Sequence, residues 1–75
     1  MLDPTFCDRM KAAHIVAKLR QQRSRGDIGR LFGIDNTYVS FIEAKTKRHD
    51  NRDIYLAPKW TIERVLEWEK ENGIL

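Results

Sequence analysis

The side chains most suited to chemistry in this sequence are small polar groups and one aromatic ring that recur with helical spacing. On a helical wheel, one face of residues 36 to 44 carries Asn36, Thr37, Ser40 and Phe41. Amide and hydroxyl groups can hydrogen-bond the edges of bases, and an aromatic ring can touch a thymine methyl. A core helix would not expose such residues, and an ordinary solvent-facing helix would carry Lys and Glu. This face therefore suits contacts to base edges.

Basic residues are concentrated in the same half of the chain. The net charge is +3, but residues 1–48 contain ten Lys or Arg against five Asp or Glu, whereas residues 49–75 contain four against six. This asymmetry is expected of a polyanion-binding face with a separate assembly end. A solvated surface gives the same pattern about as often, so the charge alone does not decide between the two.

The residue patterns that catalytic and metal sites require are not visible in this sequence. No Ser/His/Asp, Cys/His or paired-carboxylate constellation is visible, so we expect no catalytic residue, no enzyme activity and no small-molecule substrate. The single cysteine, Cys7, excludes an intramolecular disulfide, and the two histidines have no ligand-like neighbours, so we expect no metal and no cofactor. No apolar run approaches a membrane span and no signal peptide is apparent, which predicts a cytoplasmic protein.

The polar face belongs to one of two short helices joined by a glycine turn. Ser24 is a good N-cap for the first of them, with Asp27 three residues later completing a capping box. Gly29 indicates a close helix crossing, and Gly33 supplies the positive φ that ends this helix. Asp35 is the natural N-cap of the next helix, from Asn36 to about Ala44 or Lys45, with Val39 and Ile42 inward. Residues 24–45 thus form a predicted helix-turn-helix.

The remaining elements complete an all-α, small four-helix domain that spans residues 1–75. A scaffold helix is predicted from about Thr5 to Gln22, with an apolar stripe at Phe6, Met10, Ala13, Val16, Ala17 and Leu19. Residues 45–57 lose helical periodicity and fit either a loop or a short hairpin. The last helix is predicted from Pro58 to about Asn72, with Gly73 as its stop and an inward stripe at Ile62, Val65 and Leu66.

Two tryptophans lie beside the inward stripe of this last helix. Trp60 and Trp68 flank Arg64 on a neighbouring side and cannot both join the narrow stripe. A purely intrachain role for them is one interpretation. We favour a homodimer interface made by Trp60, Arg64 and Trp68, because aromatic residues are enriched in interface cores and a core this small gains from oligomerisation.

The helix-turn-helix resembles the Cro/C1-type (XRE-like) repressors common in phages. The family pattern has a polar first residue, a hydrophobic and a small residue at its fourth and fifth places and a glycine at its ninth, and further buried positions and a glutamate follow. Residues that match are Arg25, Ile28, Gly29, Gly33, Ile34, Val39, Ile42 and Glu43. The closing segment is also similar to small anti-CRISPR-associated autorepressors, at Ala57, Pro58, Ile62, Val65, Leu66 and Glu67.

The resemblance implies a sequence-specific, dimeric transcriptional repressor that binds an inverted repeat of double-stranded DNA through the major groove. Such a protein would be encoded by a phage or mobile element and would regulate its own operon, for example an anti-CRISPR operon. The base-reading residues would be Asn36, Thr37, Ser40 and Phe41. Phosphates would be bound by Arg25, Tyr38, Lys45, Thr46, Lys47 and Arg48. Glu43 would pair with Arg20 or Lys18 and hold the recognition helix.

The sequence departs from the family at a few places and leaves other functions open. The family usually has an amide residue at Arg25, alanine at Gly29, serine or threonine at Asp35, and glycine at Ala44 or Lys45. An antitoxin or an excisionase-type DNA-bending protein would use the same domain. A helical protein-interaction adaptor without DNA binding is the alternative from another class, although the basic front half argues against it.

Overall fold

The computed structural model describes residues 6–43 and 52–73, and in these residues the chain is helical without any strand. The elements, in chain order, are α1 (Phe6–Arg20), α2 (Arg25–Phe32), α3 (Asn36–Ile42), a 3₁₀ helix (Arg52–Leu56) and α4 (Lys59–Asn72). The predicted all-α class is therefore confirmed. In the described part of the chain, none of the helices has the length and apolar character that crossing a membrane requires.

The first helix is the centre of the domain. It packs against α2, α3, α4 and the 3₁₀ helix, and it buries Ala12, Ala13, Ile15 and Val16 completely. Ala13 and Val16 were predicted to be buried, whereas Ala12 and Ile15 lie outside the predicted stripe. A helix with neighbours on several sides buries an arc that is wider than one amphipathic stripe, which explains the difference.

The starts of α2 and α3 follow the predicted capping. The hydroxyl of Ser24 accepts a hydrogen bond from the backbone amide of Asp27 at 3.2 Å, and α2 ends at Gly33, which has φ of 69°. The carboxylate of Asp35 accepts a hydrogen bond from the amide of Thr37 at 2.8 Å. The third helix ends at Ile42, earlier than the predicted Ala44 or Lys45, and both of those lie outside the described residues.

The part of the segment before α4 that the structure describes is not extended, although one of the two predicted interpretations required an extended run. Residues Arg52–Leu56 form a 3₁₀ helix, so the hairpin interpretation is wrong for this half of the segment, while residues 44–51 lie outside the described part. One guanidinium nitrogen of Arg9, Nη1, donates to the carbonyls of Ile54 and Ala57, each at 2.8 Å. In a strand, two carbonyls three residues apart point in opposite directions. One guanidinium nitrogen that binds both therefore stabilises a tight turn.

The last helix closes the core against α1. Gly73, with φ of 64°, is its C-cap, as predicted, whereas Pro58 is its N-cap and the helix begins at Lys59, one residue later than predicted. Ile62 and Val65 are buried, as are two residues outside the predicted stripe, Thr61 and Glu69. The hydroxyl of Thr61 donates to the carbonyl of Pro58 at 2.6 Å, which satisfies its hydrogen-bonding group in the first turn of the helix.

Candidate nucleic-acid interface

The third helix has one buried and one accessible face, divided much as the helical wheel predicts. Val39 and Ile42 are completely buried in the core, whereas Asn36 and Thr37 are exposed. The two remaining members of the predicted polar face, Ser40 and Phe41, are only half exposed. The first turn of α3 is therefore the most accessible part of the face.

Phe41 is partly buried because it packs on the edge of the hydrophobic core. Its ring also lies beside that of Tyr38, with 6.3 Å between the centroids and an angle of 51° between the planes. Tyr38, the predicted phosphate ligand within α3, is itself half exposed and packs on the same core. The aromatic residues thus form the boundary between the buried and the accessible side of α3.

Gly29 brings α2 against the backbone at the start of α3. A Cβ atom at this position would lie 2.7 Å from the carbonyl oxygen of Ile34 and 3.5 Å from the amide nitrogen of Asn36. The amide of Ile34 also donates to the carbonyl of Gly29 at 2.8 Å. The close crossing expected from this glycine is confirmed, and the glycine fixes where α3 starts relative to α2.

Glu43 joins the end of α3 to both preceding helices. Its Oε1 accepts a hydrogen bond from Arg20 Nε, and its Oε2 accepts one from Arg25 Nε, each at 3.1 Å. Burial alone would raise the pKa of this carboxyl group, but the hydrogen bonds from the two guanidinium groups outweigh it and lower the pKa. The predicted pair with Arg20 is confirmed.

The pair between Glu43 and Arg25 was not predicted, because sequence reasoning assigned Arg25 to phosphate binding alone. The Arg25 side chain remains 41% exposed while its Nε binds Glu43. A guanidinium group has five N–H donors in total, so one bond to Glu43 leaves donors for a second anion. The pairing brings Arg25 from the first turn of α2 to the C-terminal end of α3.

The carboxylate of Asp35 is engaged in capping, so its negative charge is partnered by the amide of Thr37 at the start of α3. The backbone hydrogen bond from Thr37 lowers the pKa of Asp35, because the amide stabilises the charged form. Near the start of α2, Asp27 pairs with Arg30, and that hydrogen bond lowers the pKa of Asp27. Like Glu43, both of these acids are therefore partnered.

All three residues predicted for the dimer interface have contacts within the chain. Trp60 is 45% exposed, and its ring packs edge-to-face on that of Tyr38. Trp68 packs edge-to-face on Phe32, with 5.5 Å between the ring centroids. Arg64 Nη1 donates to the carbonyl of Phe32 at 3.2 Å. Sequence reasoning missed these contacts, although two aromatic residues at the margins of neighbouring buried stripes are a signal that could have suggested one.

The rest of the predicted site lies beyond the described residues. Four predicted phosphate-binding residues are in this group: Lys45, Thr46, Lys47 and Arg48. In residues 6–43 and 52–73, no cluster of three His, Cys, Asp or Glu side chains could hold a metal ion. The described interface therefore consists of the accessible side of α3, Arg25 beside it, and the aromatic residues that border it.

Comparison with known proteins gives no relative from which a function could be transferred. No protein family model, no curated protein and no solved structure matches the chain. What α3 binds must therefore be inferred from its own side chains and from those around it.

Proposed function

We propose that this protein binds double-stranded DNA in a sequence-specific way and acts as a transcriptional repressor, with α3 as the recognition helix. The observation that carries the proposal is the division of α3. Asn36 and Thr37 are exposed in its first turn, while Val39 and Ile42 behind them are completely buried. A helix anchored along one side and open on the other can enter a major groove as a rigid body.

The composition of α3 supports base contacts over simple exposure to solvent. Charged residues make up 33% of the chain, yet none occurs in Asn36–Ile42. The side-chain amide of Asn36 can accept a hydrogen bond from N6 of adenine through its oxygen and donate one to N7 through its nitrogen. No other base presents a donor and an acceptor in that arrangement. Thr37 and Ser40 supply hydroxyl groups that can bond to several bases.

The contacts behind α3 support the same proposal, because a recognition helix needs a fixed orientation. Gly29 sets its start against α2, and Glu43 ties its end to Arg20 and Arg25. Arg25 would bind a DNA phosphate with its remaining donors, held in place by Glu43. The basic segment 45–48 would bind further phosphates, which position the protein on the duplex without selecting a sequence.

The biological role follows from the resemblance to Cro/C1-type repressors. Two copies would bind an inverted repeat with their recognition helices about 34 Å apart, one turn of the duplex. The bound dimer would block a promoter in the cytoplasm, that of the phage or mobile-element operon that encodes it. Sedimentation of the wild-type chain tests the dimer, and a single species with the monomer mass up to high micromolar concentration would refute it.

A second candidate function is that of a protein-interaction module. Three exposed apolar side chains near the start of α4, Tyr55, Leu56 and Trp60, favour it, because such groups can bind a partner protein. The two candidates differ in their dependence on salt and on DNA sequence. A protein-interaction module would bind DNA weakly and without sequence preference.

The test begins with selection of binding sites from random duplex DNA, followed by fluorescence anisotropy with an enriched and a scrambled duplex. Affinity for both should fall with salt, the slope growing by about 0.9 for each phosphate neutralised. Asn36→Ala should weaken binding to the enriched duplex by about 1 to 3 kcal/mol and leave the scrambled one unchanged. Lys47→Ala, the matched control, should weaken both duplexes equally. Equal affinity of the wild-type protein for both duplexes would refute the proposal.

A further inference from the structure

We propose that Trp60 and Arg64 of α4 are positioning residues for the recognition helix, and that Trp60 determines sequence preference by orienting Tyr38 and, through it, Phe41. This inference rests on the proposed function, since it concerns how the same interface selects DNA. It assigns to the exposed side of α4 a role within one copy of the chain, different from the dimer contact that its tryptophans suggest.

The first step is the contact between Trp60 and Tyr38. Their ring centroids lie 5.7 Å apart and their planes are almost perpendicular, at 86°. Edge-to-face packing of this kind is directional, because the positive edge of one ring meets the negative face of the other. Trp60 therefore favours one orientation of the Tyr38 ring over the rotamers that a half-exposed residue could otherwise adopt.

The second step leads from Tyr38 to the DNA-facing side. Tyr38 and Phe41 are three positions apart on α3, and neighbours at this spacing contact each other along a helix. Their ring centroids are 6.3 Å apart, so Tyr38 lies between Trp60 and Phe41. A change in the orientation of Tyr38 would alter the space available to Phe41, the residue expected to touch a thymine methyl.

The third step is the attachment of Trp60 to the other half of the helix-turn-helix. The guanidinium carbon of Arg64 lies 5.3 Å from the centroid of the Trp60 ring, in the range of a cation–π contact. The same side chain donates to the carbonyl of Phe32, the last residue of α2, at 3.2 Å. Arg64 and Trp60 thus connect the end of α2 to the first turns of α3.

Exposure distinguishes this arrangement from ordinary core packing. The core contribution of α4 comes from Ile62 and Val65, which are almost completely buried. Trp60 is 45% exposed, so removal of its ring leaves no enclosed cavity. The exposed ring contacts Tyr38 and Arg64, which is what a positioning residue requires.

The experiment compares Trp60→Leu, Trp60→Phe and Arg64→Lys with wild-type protein and with Leu56→Ala. Leu56 is the matched control, since it is an exposed apolar residue of the neighbouring 3₁₀ helix, 60% accessible. The probes are the duplex enriched by the wild-type protein and a set of duplexes in which each base pair is changed in turn. Anisotropy gives the discrimination at every position, and circular dichroism gives the folded fraction of each variant.

We expect Trp60→Leu to reduce discrimination at one or two adjacent base pairs by roughly two- to tenfold, the effect of losing one directional aromatic pair. Discrimination at the other base pairs should stay within error of wild type. Trp60→Phe should restore most of the loss, because it keeps a ring edge toward Tyr38. Arg64→Lys should reduce discrimination at the same base pairs, because an ammonium cannot stack as a planar guanidinium does, and Leu56→Ala should change nothing.

The inference is overturned if Trp60→Leu keeps the wild-type preference, if it weakens all duplexes equally, or if Trp60→Phe loses as much as Trp60→Leu. If Trp60→Leu does not fold, Trp60→Met replaces it in every comparison. A change in molecular mass without a change in base preference would assign Trp60 to a dimer interface and also overturn the inference. Lack of sequence preference in the wild-type protein would overturn the proposed function and this inference together.

Discussion

Replacing Gly29 by alanine separates helix propensity from packing at the crossing of α2 and α3. Alanine is favoured over glycine in a helix interior by up to about 1 kcal/mol. At this position, however, the new Cβ would lie 2.7 Å from the carbonyl oxygen of Ile34, a backbone atom that moves only if the start of α3 moves. Overpacking of this kind costs about 1 to 3 kcal/mol, so we expect Gly29→Ala to be destabilising by about 1 kcal/mol.

The same helix provides the control. Gly26 lies in the first turn of α2, and a Cβ there would have Ser24 Oγ as its nearest neighbour, 4.0 Å away. Gly26→Ala should therefore raise helix propensity without a steric clash. We expect it to stabilise the domain by several tenths to about 1 kcal/mol. The free energies of unfolding of the two variants should differ by the cost of overpacking at Gly29, about 1 to 3 kcal/mol.

Thermal unfolding followed by circular dichroism measures this difference. In a domain of this size, 1 kcal/mol changes Tm by about 4 to 8 °C, so Gly26→Ala should melt well above Gly29→Ala. Cro/C1-type repressors usually have alanine at the position of Gly29, and the resemblance alone would predict a harmless substitution. If Gly29→Ala were as stable as Gly26→Ala, the close crossing of α2 and α3 would be refuted.

Two further predictions concern charged groups at the ends of α3. Because the pKa of Glu43 is lowered in the folded state, the unfolded chain binds more protons and stability should fall as the pH decreases below the ordinary value of 4.5. Glu43→Gln should reduce the free energy of unfolding by about 1 to 2 kcal/mol at pH 7, between the values for exposed and buried ion pairs. It should also make Tm less dependent on pH in the acid range. An unchanged acid dependence of Tm would contradict this. Asp35→Ala should lower the midpoint of urea unfolding through loss of the N-cap, whereas Asp35→Asn, which can still cap, should lower it much less. Equal losses in the two Asp35 variants would mean that the charge, not the cap, is what stabilises α3.

The parts of the fold that could be predicted from the sequence are those determined by neighbours in the chain. Ser24 and Asp35 start helices because their side chains accept hydrogen bonds from amides two or three residues later. Gly33 and Gly73 end helices because they adopt positive φ. The inward position of Val39 follows from the helical period alone. Each of these depends on fewer than five consecutive residues.

The parts that could not be predicted depend on contacts between distant residues. Nothing near Arg9 in the sequence indicates that it binds carbonyl groups 45 and 48 residues away. Helical periodicity placed Trp60 beside the inward stripe of α4 but could not show that its neighbour is Tyr38. The base-reading assignment of Asn36 and the dimer remain predictions, since they concern partners outside the chain.

The bridge from Arg9 to the 3₁₀ helix has a consequence for the order in which the domain folds. It joins α1 to the segment that leads into α4. Because that segment lies late in the chain, α1 can form this contact only after most of the chain has been synthesised. Helices α2 and α3, which lie between these two elements in the chain, lack the core residues of α4 until that happens. The amides of the buried residues Val39 and Ile42 of α3 should therefore exchange with solvent only when the core opens. A chain that ends before residue 57 should not hold α2 and α3 in a fixed geometry.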